Sequence, residues 1–144
     1  MPVALVSRVR NRSLRLPGLR RAAQRLLDAI GRTEAVVSIT LVGDARMRTL
    51  NRNFRAADRP TDVLSFPLHD RTQRDVLGDI VISVDTAVRQ AAAYDAPLQR
   101  ELERLLIHGI LHLVGHDHHR PRERARMERE ERRLARTIGM PWPY

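Results

Sequence analysis

The sequence predicts an α/β (α+β) fold, a single-domain layered sandwich in which a small mixed four-stranded sheet is flanked by helices. Three observations carry this. The chain of 144 residues is long enough to bury about two-thirds of its unfolded surface in one core. Four short apolar or β-branched runs alternate with stretches of helical period, the pattern of helices layered on a sheet. No internal repeat or low-complexity linker divides the chain, so residues 1–144 read as one domain.

Val3 to Val9 alternates loosely, with Arg8 and Arg10 on its flank, and suits an edge strand; Pro17-Gly18 then punctuates the chain. From Leu19 the apolar positions Ala22, Ala23, Leu26, Leu27 and Ile30 recur at helical spacing up to Gly31. Ala35 to Val42 (AVVSITLV) is β-branched and reads as the second strand, and Asp44 is placed to cap a helix carrying Met47 and Leu50. Asn53 to Asp62 (NFRAADRPTD) is polar and contains proline, so it predicts a loop before a short strand, Val63 to Phe66, that Pro67 ends. Leu68 to Val76, with His69, Asp70, Arg71, Arg74 and Asp75, predicts an exposed connection. Leu77 to Val84 is the fourth strand, after which Asp85 is placed to cap a helix through Ala87, Val88, Ala91 and Ala92. Pro97 opens a further helix, PLQRELERLLIHGILHLVG, with an apolar stripe of Leu98, Leu102, Leu105, Leu106 and Ile110. The last helix, Arg122 to Ile138, is densely charged; its Met127, Glu131 and Leu134 face offers little apolar area, and Gly139 and Pro141 end it.

Composition narrows the chemistry. No apolar run approaches the roughly 18 residues of a membrane span, and the start MPVALVSRVRNRSLRLPG lacks a long apolar segment, which predicts a soluble, untargeted, cytoplasmic protein with no membrane partner. Cysteine is absent, so a transition-metal site must be built from histidine and carboxylate. The formal charge is +9 and all 26 basic residues are arginines. A coding preference can produce that bias, but such a surface also favours a polyanion, and the planar guanidinium suits phosphate. Aromatic residues are only 3% of the chain, which argues against base stacking on an aromatic platform and leaves phosphate contact and shape as the expected mode of nucleic-acid binding.

The stretch HGILHLVGHDHH, His108 to His119, carries the strongest signal. His108 and His112 lie four apart, so on a helix they differ by about 40° and stand one turn apart on one face. Gly115 is able to adopt positive φ and turn the chain, bringing His118 back toward that pair. Three nitrogen ligands and an open position filled by water form the usual pattern of a catalytic zinc. His116 and His119 are alternative ligands, His118 fitting best, and Asp117 is placed to orient a ligand histidine. The spacing matches the metzincin signature, so the segment is a zincin-like metal helix, except that Gly109 replaces the glutamate. A glycine cannot take a proton from water or give one to a leaving amine, which makes peptide hydrolysis improbable. Hydrolysis of a phosphodiester does not need that glutamate, because a metal ion polarises a phosphoryl oxygen and lowers the pKa of water to about 7.

Three stretches together resemble the YbeY-type bacterial endoribonucleases, single-domain factors in ribosomal RNA maturation: HGILHLVGHDH (His108 to His118), NRNFRAADRPTDVLSFP (Asn51 to Pro67) and LGDIVIS (Leu77 to Ser83). With a tail ending in Pro143-Tyr144 the resemblance spans nearly the whole chain. It implies one Zn2+ held by His108, His112 and His118, and a catalytic Arg55 that binds phosphate or stabilises charge. It also implies a cleft between the Arg55 loop and the histidine helix; Thr61, Asp62 and Ser65 border the same loop, where shaping the cleft and plain loop or capping roles explain them equally well. The implied activity is single-strand-specific, zinc-dependent RNA cleavage in 3′-end maturation of small-subunit ribosomal RNA and in ribosome quality control. The implied partners are ribosomal RNA and the small ribosomal subunit, together with ribosomal proteins or assembly GTPases. A non-catalytic RNA-binding ribosome assembly factor with a structural metal is the competing reading.

Overall fold

In the computed structural model, which describes residues 3–68, 75–117 and 119–141, the β-branched run of the second strand becomes an inner strand of the sheet. The elements follow as β1 (Val3–Ser7), α1 (Leu16–Ala29), β2 (Val36–Val42), α2 (Asp44–Arg55), β3 (Val63–Pro67), β4 (Val76–Ser83), α3 (Val84–Ala93), α4 (Leu98–Leu113) and α5 (Pro121–Thr137). Strand order is β1-β2-β4-β3. β1, β2 and β4 run parallel, while β3 pairs antiparallel with β4, so the sheet is mixed as expected. The predicted connection at His69, Asp70, Arg71 and Arg74 and the tail ending in Pro143-Tyr144 lie outside the described residues.

Period-two alternation sorts the strands onto two faces. Val37, Ile39 and Leu41 of β2 and Ile80 and Ile82 of β4 enter the main core with apolar residues of α1, α3, α4 and α5. On the other face Val42, Met47 and Leu64 form a smaller cluster under α2. No helix among the described residues is long and apolar enough to cross a membrane.

Several boundaries differ from expectation for local reasons. β1 ends at Ser7 rather than Val9, because the Ser7 hydroxyl donates to the Val9 carbonyl at 2.7 Å and accepts from the Val9 N–H at 3.3 Å, competing with the ladder. α1 starts at Leu16, so Pro17 stands in its first turn, where a missing N–H costs nothing, instead of punctuating the chain. α2 runs through Asn53 and Phe54 to Arg55, which is therefore a helical residue and not a loop residue; Ala56, in the left-handed region at φ 55°, caps it with its N–H on the Asn51 carbonyl. Pro67 is the last residue of β3, an edge strand that tolerates the lost donor. Opposite it Gly78 sits at φ 141°, where a Cβ would run into the Phe66 carbonyl, so only glycine allows β3 to lie so close.

The two aspartates expected to cap their own helices exchange roles. The N-cap of α3 is Ser83, whose hydroxyl accepts from the Thr86 N–H at 3.3 Å, and the Asp85 carboxylate instead accepts from the Asp44 N–H at the start of α2 at 2.8 Å. Asp44 Oδ1 accepts from the hydroxyls of Ser83 and Thr86, each at 2.7 Å, and its other oxygen pairs with Arg89 at 2.8 Å. The starts of α2 and α3, on opposite faces of the sheet, are thus tied together. Burial alone would raise the Asp44 carboxyl's pKa, but the Ser83, Thr86 and Arg89 bonds outweigh it and hold the group below the usual carboxylate range.

Helix α4 packs tightly against the sheet at Gly109. A Cβ there would lie 3.1 Å from both Cδ1 and Cγ2 of Ile80 and 3.3 Å from Ser65 Oγ, and the Ser65 hydroxyl donates to the Gly109 carbonyl at 3.2 Å. Gly109 is therefore a packing requirement as well as a missing base.

Two stability predictions follow from these contacts. Asp44→Ala lowers stability at neutral pH by about 1–3 kcal/mol, since it strips two hydroxyls of their acceptor and Arg89 of its partner. Because the folded-state pKa is depressed, that contribution is present above the ordinary carboxylate range and fades as pH falls through it. Urea midpoints of both proteins at neutral and acid pH check this, and a pH-independent gap would contradict it. Gly109→Ala costs about 1 kcal/mol net, overpacking of about 1–3 kcal/mol exceeding the gain in helix propensity. Ile80→Val removes Cδ1 and relieves part of that cost, so a double-mutant cycle shows coupling; simple additivity would remove the close-approach explanation.

Candidate functional site

Along α4 the residues Glu101, Arg104, His108 and His112 fall within roughly 80° of arc at 100° per residue. They form a polar stripe beside the apolar face of Leu102, Leu105, Leu106 and Ile110 that enters the core. The helix ends in a Schellman turn: the His116 N–H bonds the Leu111 carbonyl at 2.9 Å and the Gly115 N–H bonds the His112 carbonyl at 3.1 Å. Gly115 takes φ 98°, as a turn glycine must, and the chain folds back with His116, Asp117 and His119 over a cleft.

His108 and His112 converge. Their Nε2 atoms are 3.1 Å apart, and the rings meet edge to face at 74° with centroids 4.6 Å apart. Two lone pairs aimed at each other over that distance repel unless a proton or a cation lies between them. Two nitrogens bound to one tetrahedral zinc stand about 3.3 Å apart, given bonds of 2.0–2.1 Å, so the pair fits an ion. On the far side of the ring, the His108 Nδ1 faces Glu131 Oε2 of α5 at 3.6 Å, an arrangement that favours a proton on Nδ1 and turns the Nε2 lone pair toward His112 and the cleft. His118 lies outside the described residues, and among those described no third histidine or carboxylate joins the pair to make a three-ligand group. Asp117 turns its carboxylate toward His119, 3.4 Å from Nε2, and accepts from the His119 N–H at 3.3 Å.

The cleft holds about 650 Å³ between the histidines and the segment from Phe54 to Pro67. Arg55 lines it, as do Thr61, Asp62 and Ser65, for which the sequence left cleft-shaping and loop roles equally open. Arg55 projects from the last residue of α2, exposed to solvent. Its neighbours are neutralised: Asp58 accepts from Arg48 through both oxygens at 2.8 and 3.0 Å and lies 3.8 Å from Arg52. The Arg48 hydrogen bond outweighs the small effect of burial and holds the exposed Asp58 carboxyl below its ordinary range. No ion pair to Arg55 is present among the described residues, so the charge facing the cleft stays available.

Asp62 and Ser65 serve the frame of the cleft. Asp62 Oδ1 accepts from the Val63 N–H at 2.7 Å while its carbonyl accepts from the Ser83 N–H at 2.9 Å, starting β3 against β4. Its other oxygen lies 3.4 Å from the Gln90 amide and 3.8 Å from Arg104. Both partners also bind the buried Glu101: Arg104 donates to its two oxygens at 2.8 and 2.6 Å, and Gln90 donates at 2.6 Å. This network joins α3, α4 and the entry of β3 behind the histidines.

Two parts of the site escaped the sequence reading. Glu131 stood between Met127 and Leu134, four and three positions away and both buried, so its carboxylate had to face inward and find a partner. Glu101 and Arg104 occupy i and i+3 on a helix read for its apolar stripe and its histidine pair.

Comparison with known proteins places the chain. A family model described as endoribonuclease YbeY matches residues 8–139. An endoribonuclease YbeY of Anaeromyxobacter sp. (strain Fw109-5) is 50% identical over 123 residues, covering 85% of this chain and 64% of that protein, so the chain spans somewhat less than two-thirds of that relative's length. The endoribonuclease YbeY of Carboxydothermus hydrogenoformans is 46% identical over 105 residues, 73% of each chain. A Thermotoga maritima protein solved in solution is 27% identical and shares the fold with a TM-score of 0.67 over 94% of this chain and 88% of its own. Matched from just after β1 to just past the end of α5 and alike in fold, the chain belongs to the endoribonuclease YbeY family.

Proposed function

We propose that this chain is a zinc-dependent endoribonuclease specific for single-stranded RNA. In this reading it acts in the cytoplasm as one domain over residues 1–144, on ribosomal RNA of the small subunit, in 3′-end maturation and ribosome quality control. The observation that carries the proposal is the convergence of the His108 and His112 Nε2 atoms, 3.1 Å apart, on a cleft that Arg55 also lines. The family supplies the nuclease class, and the formal charge of +9 suits a polyanionic substrate.

The zinc ion that His108, His112 and His118 would hold supplies Lewis acidity toward a phosphoryl oxygen and lowers the pKa of water. The chain's own groups do the rest. The Arg55 guanidinium offers two parallel donors to the non-bridging oxygens of a phosphodiester and stabilises the charge that grows on them in the transition state. Glu131 keeps the His108 ring oriented. With Gly109 where a peptidase has its glutamate, the amine leaving group of a peptide has no proton donor at that position, which favours phosphodiester over peptide.

Elemental analysis is expected to find about one zinc per chain, lost in His112→Ala, and chelator competition to find affinity about 10–100-fold weaker in Glu131→Ala. Unchanged zinc affinity in that variant would remove the orienting role of Glu131. On single-stranded ribosomal RNA, Arg55→Ala retains its zinc and loses about 10²–10³ in kcat. Cleavage by His112→Ala or Arg55→Ala at the wild-type rate would overturn the proposal. Zinc binding without cleavage by the wild-type protein would favour the assembly-factor reading.

A further inference from the structure

Behind the cleft lies a second concavity of about 910 Å³, on the sheet face that α2 only partly covers. Thr40, Asp79 and Val81 form its floor, and Arg8 and Arg46 stand on its rim. It adjoins the cleft, and Phe54 and Phe66 line both. Phe54 is 65% exposed, the most exposed large apolar side chain described. It packs edge to face with Phe66 at 5.3 Å, which gives the exposed ring a support. Composition argued against stacking platforms; a single aromatic at the junction of two concavities suffices for one base.

We propose that this groove holds the single-stranded RNA flanking the scissile bond, with a base stacked on Phe54 and backbone phosphates on Arg8 and Arg46. The inference rests on the nuclease reading above and extends it to a substrate-binding subsite. Stacking on an aromatic ring selects single strands, because a base inside a duplex has no free face. With phosphates at the arginine rim, the base edges turn to the floor, where Asp79 is the only carboxylate among the described lining residues. As an acceptor alone it favours a base edge that carries an amino donor over uracil. A duplex occupant would put phosphates on both sides of a strand and bring one of them toward Asp79.

The test measures binding of fluorescent single-stranded RNA by anisotropy, with oligonucleotides long enough to leave the cleft and with short ones confined to it, across a salt series. Catalytically inert His112→Ala protein serves as the background, and cleavage is followed in parallel with His112 intact. Arg8→Ser/Arg46→Ser is expected to erase most of the affinity gained with length and to lower the salt slope by about 1.4, two single-strand phosphate contacts at about 0.7 each. Phe54→Leu keeps the packing on Phe66 but loses the stacking face, and weakens long RNA about 5- to 100-fold, whereas Phe54→Tyr restores it. Asp79→Asn reduces the discrimination against oligouridine. Wild-type affinity and slope in the arginine variant, at unchanged melting temperature, overturn the subsite while leaving the nuclease reading intact. Absence of RNA cleavage by metal-loaded wild-type protein overturns that reading instead, and absence of RNA binding overturns both. A dimer that dissociates in Arg8→Ser/Arg46→Ser with RNA affinity unchanged would assign the groove to a second copy and also overturn the subsite.

Discussion

Helix α4 packs tightly on the sheet at Gly109, and the position of the two histidines in the cleft depends on that contact. With no side chain at this residue, the helix settles against Ile80 and receives a hydrogen bond from Ser65 on β3. The residue before it, His108, is turned about 100° away around the helix axis and so faces the cleft instead of the sheet. A larger residue at 109 would lift α4 from the β3–β4 pair and carry both histidines with it. Ser65, which lines the cleft, acts as the clamp: one hydroxyl sets the separation between the strand that walls the cleft and the helix that carries its nitrogens.

The second constraint is electrostatic. The chain carries a large excess of arginine, yet near the cleft many of these charges are already committed. Arg48 and Arg52 lean on Asp58, Arg89 on Asp44, and Arg104 on the buried Glu101. Leaving Glu101 buried without its two donors would cost several kcal/mol, so the Arg104 and Gln90 bonds are obligatory once that carboxylate is inside. Their consequence is positional, because the network extends to Asp62 and fixes the start of β3 relative to α4. Against this background the free charge of Arg55 is a local property of the fold and does not follow from the net charge.

Much of this was legible in the chain, and what was not follows a pattern. The strands announced themselves by β-branched runs, and the His108–His112 pair by helical spacing, because both signals are carried within one element. The turn at Gly115 was readable for the same reason. The exchange of Asp44 and Asp85 between the two helix starts was not, since each sits where a cap of its own helix is expected and only the three-dimensional approach of α2 to α3 reassigns them. Arg55 was recognised through its motif yet placed on a loop: polarity and the nearby Pro60 suggested irregular chain, whereas proline disturbs only the residue before it and the preceding turn. Glu131 was placed on the inward face by its spacing from Met127 and Leu134, but its partner, the His108 ring, needed the packing of α5 on α4. Gly109 was read for the proton chemistry it lacks, and its tight fit against Ile80 needed the sheet.

The helical setting of Arg55 changes what that residue must do. The C-terminal end of a helix carries partial negative charge from its unpaired carbonyls and by itself repels phosphate. Arg52 and Arg55 stand in the last turn of α2, where that field favours cations. Arg52 shares Asp58 with Arg48, so of these two Arg55 is the one whose charge reverses the field on the cleft side. Consecutive helical positions diverge by about 100°, which lets Phe54, one residue earlier, stand at the junction with the groove while Arg55 faces the histidines. Had the segment been a loop, each side chain would have needed its own anchor. Extending the helix by three residues fixes both directions at once, and the left-handed turn at Ala56 then returns the chain to start β3 on the opposite wall.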